Sequence, residues 1–515
     1  MKIFCLAPSI WPTLHYEADL ILQEASKSPE AITIISCNKY RQDCPANKLK
    51  SEFVCSICRM RNKNFEKFLS SEIEDNINFI NFDSIEKLDK KRAFKKYFGN
   101  NKHTIYKELL KSVLSSKQTT QKTKGLKSWG YDKFSKPFWD THFNFIKTIK
   151  HIIDNKEISR AYIYNCRMSG YRAVYEFMKH NNIDRYVYEY PMEEKKRLFI
   201  QKNSLVHEFV NRSHLMKTFC DKFKSHSAII RQIGHRTILG RNHSSDRMGE
   251  INFSKSNSAK VSNDIKKEKF ILITNSSEWE TFGCKGPVTN FYGDQVRAIR
   301  ETCRYFEKNN PEIKFILRVH PQYIFRDKLT LKNILKLSKF KNLEIIEPGD
   351  AVNTYNLMKE SHFVITFYSY SGPEAVVRGK KLIALGPSSY QSFKIGLFPK
   401  NKLDFYNNIQ ENWKIETPRS SKAQIDEALM FAFARRFYGR RTKNLKFKND
   451  SSFLIRKNGN IVRLDGGLKG KLGLLFIKVI EVIVDKNKRH SLNDLIKSFI
   501  LNPKKLKKSI KKATL

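Results

Sequence analysis

Long hydrophobic runs are missing from this chain. None approaches the roughly 20 apolar residues that a membrane-spanning helix needs, which excludes a helical integral membrane protein. The opening residues, MKIFCLAPSIWP, carry one Lys and a short apolar run but not the longer apolar core of a signal peptide, so we expect a first buried strand in a cytoplasmic chain. No repeat of solenoid period occurs. There is no zinc-finger, RNA-recognition or helix-turn-helix pattern, so nucleic acid is not the expected partner. Acidic residues are few, 51 against 96 Lys and Arg, and no Asp-x-Asp pair stands at a strand end, so no obligatory catalytic metal is expected. The nine cysteines are odd in number and lack an export signal, which argues against a disulfide framework and makes metal binding the better reading of any cluster.

What the chain does have is length and charge. At 515 residues it is too long for one ordinary core, and its 40% hydrophobic residues supply enough material for two. The net charge of +45 favours anionic partners, whether phospholipid headgroups, nucleotides, acidic glycans or nucleic acid, without choosing among them.

Along the chain, a strand at 2–7, a helix at 16–26 and a β-branched strand at 31–36 open a βαβ-type lobe. A Cys-containing loop and a basic, mainly helical stretch at 64–154 follow, and strands return at 161–164 and 185–190. A polar, Ser- and Asn-rich segment at 241–268 reads as an interdomain linker. Beyond it, strands at 270–274, 313–319, 343–346, 363–367 and 381–385 alternate with helices, which predicts a parallel sheet covered on both faces. We therefore expect an α/β protein: an N-terminal lobe at 1–240, the linker, a second lobe at 269–434 and a basic extension at 435–515. That extension holds an apolar run at 472–484 and ends in KKLKKSIKKATL. It reads either as a basic amphipathic surface segment or as a buried helix with a solvated tail.

Ligands of such sheets bind at the carboxyl ends of the strands. In the second lobe those ends carry Asn275-Ser276-Ser277-Glu278, Arg318-Val319-His320-Pro321 and Ser369-Tyr370-Ser371-Gly372-Pro373-Glu374. Hydroxyl, amide and imidazole groups there can donate to phosphate oxygens, and a following helix N-terminus adds free N–H groups. Taken alone, Ser371 to Glu374 is also a capping box and a lone His-Pro is usually nothing. Three such loops at strand ends of one sheet carry the weight.

ILRVHP, followed by VITFYSYSGPEAVVRGKKLIALG, resembles the donor half of capsular polysaccharide biosynthesis glycosyltransferases, a group that includes Kdo transferases. The segment ILITNSSEWET is similar to that group's first strand and loop of the same lobe. The resemblance covers 269–390 and implies a GT-B-like fold, two Rossmann-like lobes with parallel sheets flanking an interlobe cleft. It implies a nucleotide held by His320, Ser369, Ser371 and Glu374, with Asn275, Ser276 and Arg318 from the neighbouring loops.

In the first lobe, His15-Tyr16-Glu17 and Asn165-Cys166-Arg167 resemble a His-Tyr-Glu and an Asn-Gly-Arg element of related enzymes, with Cys166 where Gly would stand. Glycosyl transfer needs a carboxylate to take the acceptor hydroxyl proton. Glu17 and Glu189 are the candidates, and His15, Asn165 and Arg167 would bind the acceptor. The alternatives are helix-dipole compensation for Glu17 and an interlobe salt bridge for Arg167.

Cys37, Cys44, Cys55 and Cys58, spaced C-x6-C-x10-C-x2-C, suit a structural tetrahedral zinc, against free thiols in a reduced cytosol.

The leading expectation is a nucleotide-sugar-dependent glycosyltransferase of capsular or other cell-surface polysaccharide. Its donor would be a nucleotide sugar such as CMP-Kdo, and its acceptor a glycan or lipid-linked chain at the anionic inner membrane face. The alternatives are a CDP-polyol phosphotransferase of teichoic-acid type and a non-enzymatic basic protein that binds membrane or nucleic acid.

Overall fold

The computed structural model describes residues 1–9, 11, 13–37, 44, 46–47, 51–73, 76–81, 98–99, 102–121, 136–190, 195–239, 268–278, 291–323, 327–350, 352–448 and 451–464. The chain divides into two compact units. The first takes Met1–Pro191, Lys195–Val206 and the described residues from Gly439 on, and the second is built mainly from His207–Tyr438. Among the described residues no helix is long and apolar enough to cross a membrane.

In the first unit the order is β1 (Lys2–Cys5), α1 (Leu14–Ala25), β2 (Ile32–Ser36), α2 (Glu52–Glu72), β3 (Ile77–Asn81), α3 (Lys102–Gln121), α4 (Lys136–Asn155), β4 (Arg160–Tyr164), α5 (Tyr171–His180), β5 (Asp184–Glu189) and β6 (Arg197–Lys202). With β12 (Arg440–Arg441) these form one sheet, ordered β12-β6-β5-β4-β1-β2-β3. Strands β1 to β5 pair in parallel, while β6 and β12 add antiparallel at one side. Every residue of β1 and β2 is buried, the pattern of strands covered on both faces. The chain runs outward from β1 to β3 and returns on the other side of β1 as β4. The strand order therefore reverses between β1 and β4, the position at whose carboxyl ends ligands of such sheets bind.

The second unit contains α6 (Phe209–Asp221), α7 (Ser227–Leu239), β7 (Ile271–Thr274), α8 (Gln295–Asn309), β8 (Phe315–Arg318), α9 (Lys328–Leu335), β9 (Leu343–Ile346), α10 (Thr354–Glu360), β10 (Phe363–Thr366), α11 (Ser371–Val377), β11 (Leu382–Ala384), α12 (Lys402–Lys414) and α13 (Lys422–Phe437). Its five strands are all parallel, ordered β11-β10-β7-β8-β9, with the reversal between β7 and β10. Thr274 pairs with both Arg318 and Thr366, so the ends of β7, β8 and β10 lie side by side. Helix α8 buries Ala298, Ile299, Thr302, Cys303 and Phe306 against this sheet, and the Asp294 side chain caps it by accepting from Arg297 N. Each unit, taken by itself, is a Rossmann-like α/β unit built on a mainly parallel sheet.

Two expected boundaries move. Helices α6 and α7 belong to the second unit: Met216, Cys220 and Ile230 share a core with Ala428, Phe431 and Ala434 of α13. At the crossing of α7 and α13, a Cβ on Gly234 would lie 2.1 Å from the Leu429 carbonyl oxygen, so only glycine lets the helices approach this closely. The chain thus leaves the first unit near Val206, before the expected linker, which itself lies almost wholly outside the described residues.

The expected extension also begins differently, because from Gly439 the chain returns to the first unit. There β13 (Leu445–Lys448), β14 (Ser451–Ile455) and β15 (Ile461–Val462) form a small antiparallel sheet. Buried carboxylates hold this returning segment. Asp19 Oδ1 accepts from Lys443 N at 3.0 Å and Asn444 N at 2.7 Å, Glu24 meets Arg440 at 2.6 Å, and Glu72 meets Arg456 at 3.0 Å. The apolar run at 472–484 and the terminal lysines lie outside the described residues.

Candidate functional site

In the first unit, the loop after β1 feeds directly into α1 and brings Glu17, in the helix's first turn, under the strand end. Its Oε1 accepts from Ala7 N at 2.7 Å and lies 2.7 Å from the Tyr188 hydroxyl, which is also 3.2 Å from the Cys5 carbonyl. Glu17 is 0% exposed and its Oε2 has no hydrogen-bond partner. Burial pushes its carboxyl up to about 7, against the two hydrogen bonds that favour the charged form.

Glu189 is the next residue of β5 after Tyr188, and so on the opposite face of the strand. The Tyr164 hydroxyl donates to its Oε1 at 3.0 Å and Tyr190 N at 3.3 Å, and Asn165 Nδ2 donates to Oε2. Burial raises this carboxyl too, opposed by those donors and by the nearby Arg167 charge. Unlike Glu17, Glu189 is only partly buried.

Asn165 and Cys166 follow β4 with φ of +53° and +58°, so the cysteine adopts the left-handed conformation that a glycine would take freely. The turn closes on itself: Cys166 N donates to the Tyr164 carbonyl at 2.5 Å and Arg167 N to Asn165 Oδ1 at 3.0 Å. Arg167 Nη1 in turn donates to Ser115 Oγ at 3.2 Å. His15 stands apart from this group. It is 6% exposed, and its Nε2 accepts from Leu464 N at 3.3 Å, so it faces the returning C-terminal segment.

In the second unit, Asn275 bridges two strand ends, its Oδ1 accepting from His320 N at 2.7 Å. His320 Nδ1 accepts from Gln322 N at 3.3 Å, fixing the ring beside its own turn. The Ser276 backbone is held at both ends: its N–H donates to Gln295 Oε1 at 2.8 Å, and its carbonyl accepts from Tyr323 Oη at 3.0 Å. Among the described residues, Asn275 Nδ2 and Ser276 Oγ, on residues 2% and 4% exposed, have no hydrogen-bond partner. Thr274 Oγ1 lies 2.7 Å from Ser371 Oγ, tying the loop after β10 to the end of β7, and Ser369 Oγ accepts from Ser371 N at 3.3 Å. The capping box does not form, because Ser371 is the first residue of α11 and Tyr370 stands at the N-cap with no side-chain cap bond. Glu374 Oε1 accepts from Tyr355 Oη at 3.3 Å.

Two expected donor contacts are used otherwise. The Arg318 guanidinium turns into the following loop, donating to the Glu347 carbonyl and, at 3.4 Å, to that of Asp350. Burial lowers its pKa. The N-terminus of α8 is already filled by carboxylates. Gln295 N donates to Glu278 Oε1 at 2.8 Å, beside the Asp294 cap, so this helix end offers no place for an anion. Burial pushes Glu278 up to about 7.

The structure therefore brings Glu189, Asn165 and Arg167 together, with Glu17 reaching the same strand ends through Tyr188. Separately it brings together Asn275, Ser276, His320, Ser369 and Ser371. Of the four cysteines, Cys37 lies near enough to Cys55 to act on its thiol electrostatically. Cys55 and Cys58 lie within α2, where Asn47 Nδ2 donates to Cys55 Sγ at 3.2 Å, and among the described residues no three His, Cys, Asp or Glu are placed to hold a metal. Sequence reasoning passed over Tyr164, Tyr188 and Gln295. The two tyrosines lie in strand patterns that read as core, and Gln295 acts across a loop of unpredictable shape.

Residues 254–433 match the family model described as capsule polysaccharide biosynthesis protein. A comparison with curated proteins found no match. Among solved structures, the chain is similar to a Thermosulfurimonas dismutans KpsC described as a beta Kdo 2,4 transferase, at 12% identity, covering 62% of this chain and 87% of that one, with a TM-score of 0.33. A second structure of KpsC from that organism, described as a beta Kdo 2,7 transferase, is 13% identical over 64% of this chain and 90% of its own, with a TM-score of 0.31. UDP-GlcNAc 2-epimerase from Neisseria meningitidis, bound to UDP-GlcNAc, is 12% identical over 83% and 96%, with a TM-score of 0.30. At such identities and scores these likenesses decide nothing about activity.

Proposed function

We propose that this chain, which carries a capsule polysaccharide biosynthesis segment at 254–433, is a glycosyltransferase that moves a sugar from a nucleotide-activated donor onto a growing cell-surface polysaccharide. The supporting observation is that the matched segment contains the strand-end cluster of the second unit. Buried Asn275 Nδ2 and Ser276 Oγ, left without partners, are hydrogen-bonding capacity that a donor's phosphate or ribose oxygens would satisfy. His320, Ser369 and Ser371 line the adjoining strand ends, and a CMP-activated acidic sugar is the donor we assign.

In the first unit, Glu189 takes the proton of the acceptor hydroxyl. The freed oxygen forms a bond to the anomeric carbon, and the bond from that carbon to the nucleotide phosphate breaks, its electron pair leaving with the nucleotide. Asn165 and Tyr164 orient the carboxylate, and Arg167 pairs with an anionic acceptor group. Glu17, fully buried, reaches substrate only if the loop after β1 opens. The acceptor is a glycan or lipid-linked chain, met at the inner membrane face through the chain's positive charge.

The test is a thermal-shift panel with CMP, CDP, UDP, GDP and their sugars, followed by product analysis. Stabilisation by one nucleotide, with a glycosidic product, supports the proposal. A phosphodiester in the product would replace it with polyol phosphate transfer, and no shift with any nucleotide would end it.

A further inference from the structure

The turn that carries Arg167 is held from outside its own sheet. Helix α3 turns three buried serines toward it: Ser112 and Ser115 are 0% exposed and Ser116 1%. Ser115 Oγ accepts from Arg167 Nη1 at 3.2 Å, and Ser116 Oγ accepts from Ser169 N at 2.7 Å. On α4, His142 Nδ1 accepts from Gly170 N at 3.2 Å. Because Nδ1 accepts, the ring proton sits on Nε2. It faces Ser112 Oγ at 3.0 Å, and that hydroxyl donates onward to the Leu109 carbonyl at 2.7 Å. The last of these anchor points is sterically closed, since a Cβ on Gly170, whose φ is +85°, would lie 2.5 Å from the Phe145 ring of α4. Two consecutive non-glycine residues in the left-handed region persist only where the surroundings over-determine them. Here α3 and α4 supply that determination at 167, 169 and 170.

We propose that Ser115, Ser116 and His142 are positioning residues. They form a clamp from the helical insertion that fixes the left-handed turn at Asn165 and Cys166, and so sets Arg167 and the Asn165 amide against Glu189. The part concerning reaction rests on the glycosyltransferase reading; the clamp itself does not.

The structure provides its own reporter. Cys166 lies within the clamped turn and is 0% exposed, as are Cys220 and Cys303 in the second unit. In the full-length protein, N-ethylmaleimide labelling mapped by mass spectrometry reads each thiol separately. In Ser116→Ala and His142→Ala, Cys166 labelling is expected to rise roughly tenfold, the factor set by one buried hydrogen bond of ordinary worth. The two control cysteines should stay at their wild-type rates. His142→Asn, which puts a carbonyl oxygen near the place of Nδ1, should restore slow labelling. With transfer assayed, kcat should fall while the donor KM holds.

An unchanged Cys166 rate, or a rise shared by Cys220 and Cys303, overturns the clamp. A faster Cys166 with unaltered transfer overturns its role in the reaction. A wild-type protein that transfers no sugar sinks the proposed function instead, while the labelling pattern still decides the clamp.

Discussion

The Tyr188 hydroxyl lies 2.7 Å from Oε1 of Glu17, joining the middle of the first unit's sheet to the first turn of α1 inside a site closed to water. A carboxyl raised from 4.5 to about 7 by burial has a definite linkage. The folded state holds the proton more tightly than the unfolded chain. Glu17's contribution is therefore fully present below pH 4.5, declines as pH rises and is lost through about 7. Glu17→Gln removes that penalty. The variant should be no more stable than wild type at pH 5 and more stable at pH 8, by up to roughly 3 kcal/mol for a shift of this size. Melting curves at the two pH values check it, and an equal change at both would refute the linkage.

The donor assignment is tested by His320→Ala. His320 N is anchored by Asn275 Oδ1, and that backbone contact survives truncation of the ring. The fold should persist while nucleotide-induced stabilisation and transfer are lost. Near-normal nucleotide affinity in a folded variant would move the donor site elsewhere.

Gly234→Ala probes the second unit. The new Cβ would meet the Leu429 carbonyl at 2.1 Å, so α7 and α13 must separate. Overpacking of this kind costs roughly 1–3 kcal/mol. A drop in melting temperature is expected, and an unchanged value would show that the crossing is looser than described.

Much of this was legible in the sequence, and the exceptions have physical causes. The strands ILIT, FILR and FVIT are wholly buried runs between helical patterns, so the parallel sheet and its functional edge followed directly. Strand β6, RLFIQK, and the two-residue edge strand β12 carry charged residues and lack that signature. Arg318 stands at a strand end as expected, but nothing local says that its guanidinium turns toward Glu347 and Asp350. His15 is engaged by Leu464, 449 positions away, a contact that only the return of the chain creates. Ser371 to Glu374 fits the capping pattern, yet the helix begins one residue earlier, with Tyr370 at the N-cap and Ser371 inside the first turn beside Thr274.

The cysteine quartet makes a separable prediction. Cys37, Cys44 and Cys58 are partly exposed, while Cys55 is buried. As placed, the first three should react with a thiol reagent in the native protein, with Cys55 slower. Protection of all four, with about one zinc released per chain on modification, would establish instead the structural zinc site that their spacing allows.

The returning segment yields the last prediction. Asp19 is 2% exposed and accepts four hydrogen bonds: from Lys443 N at 3.0 Å, Asn444 N at 2.7 Å, Asn444 Nδ2 at 3.1 Å and Gln23 Nε2 at 2.8 Å. Three of these come from a segment more than 420 residues away, so the carboxylate is a tie between chain ends rather than a local cap. Asp19→Ala strands two backbone N–H groups and an amide beside an apolar methyl. Leaving such groups unsatisfied costs roughly 1–3 kcal/mol each where water cannot enter. The lower end applies if the segment lifts away and is hydrated. The two responses are distinguishable. If the segment stays, the melting temperature falls and the Lys443 and Asn444 amides remain slow to exchange with deuterium. If it lifts, exchange at both amides accelerates and a protease cuts within 439–464, with a smaller loss of melting temperature. We expect lifting, because β13 to β15 form a sheet of their own that can leave as a piece. Gln23→Ala is the control: it removes one bond to Asp19 and one to the Arg441 carbonyl but leaves the two backbone contacts, and should expose neither amide. Wild-type exchange and wild-type melting in Asp19→Ala would show that Asp19 does not hold the returning segment.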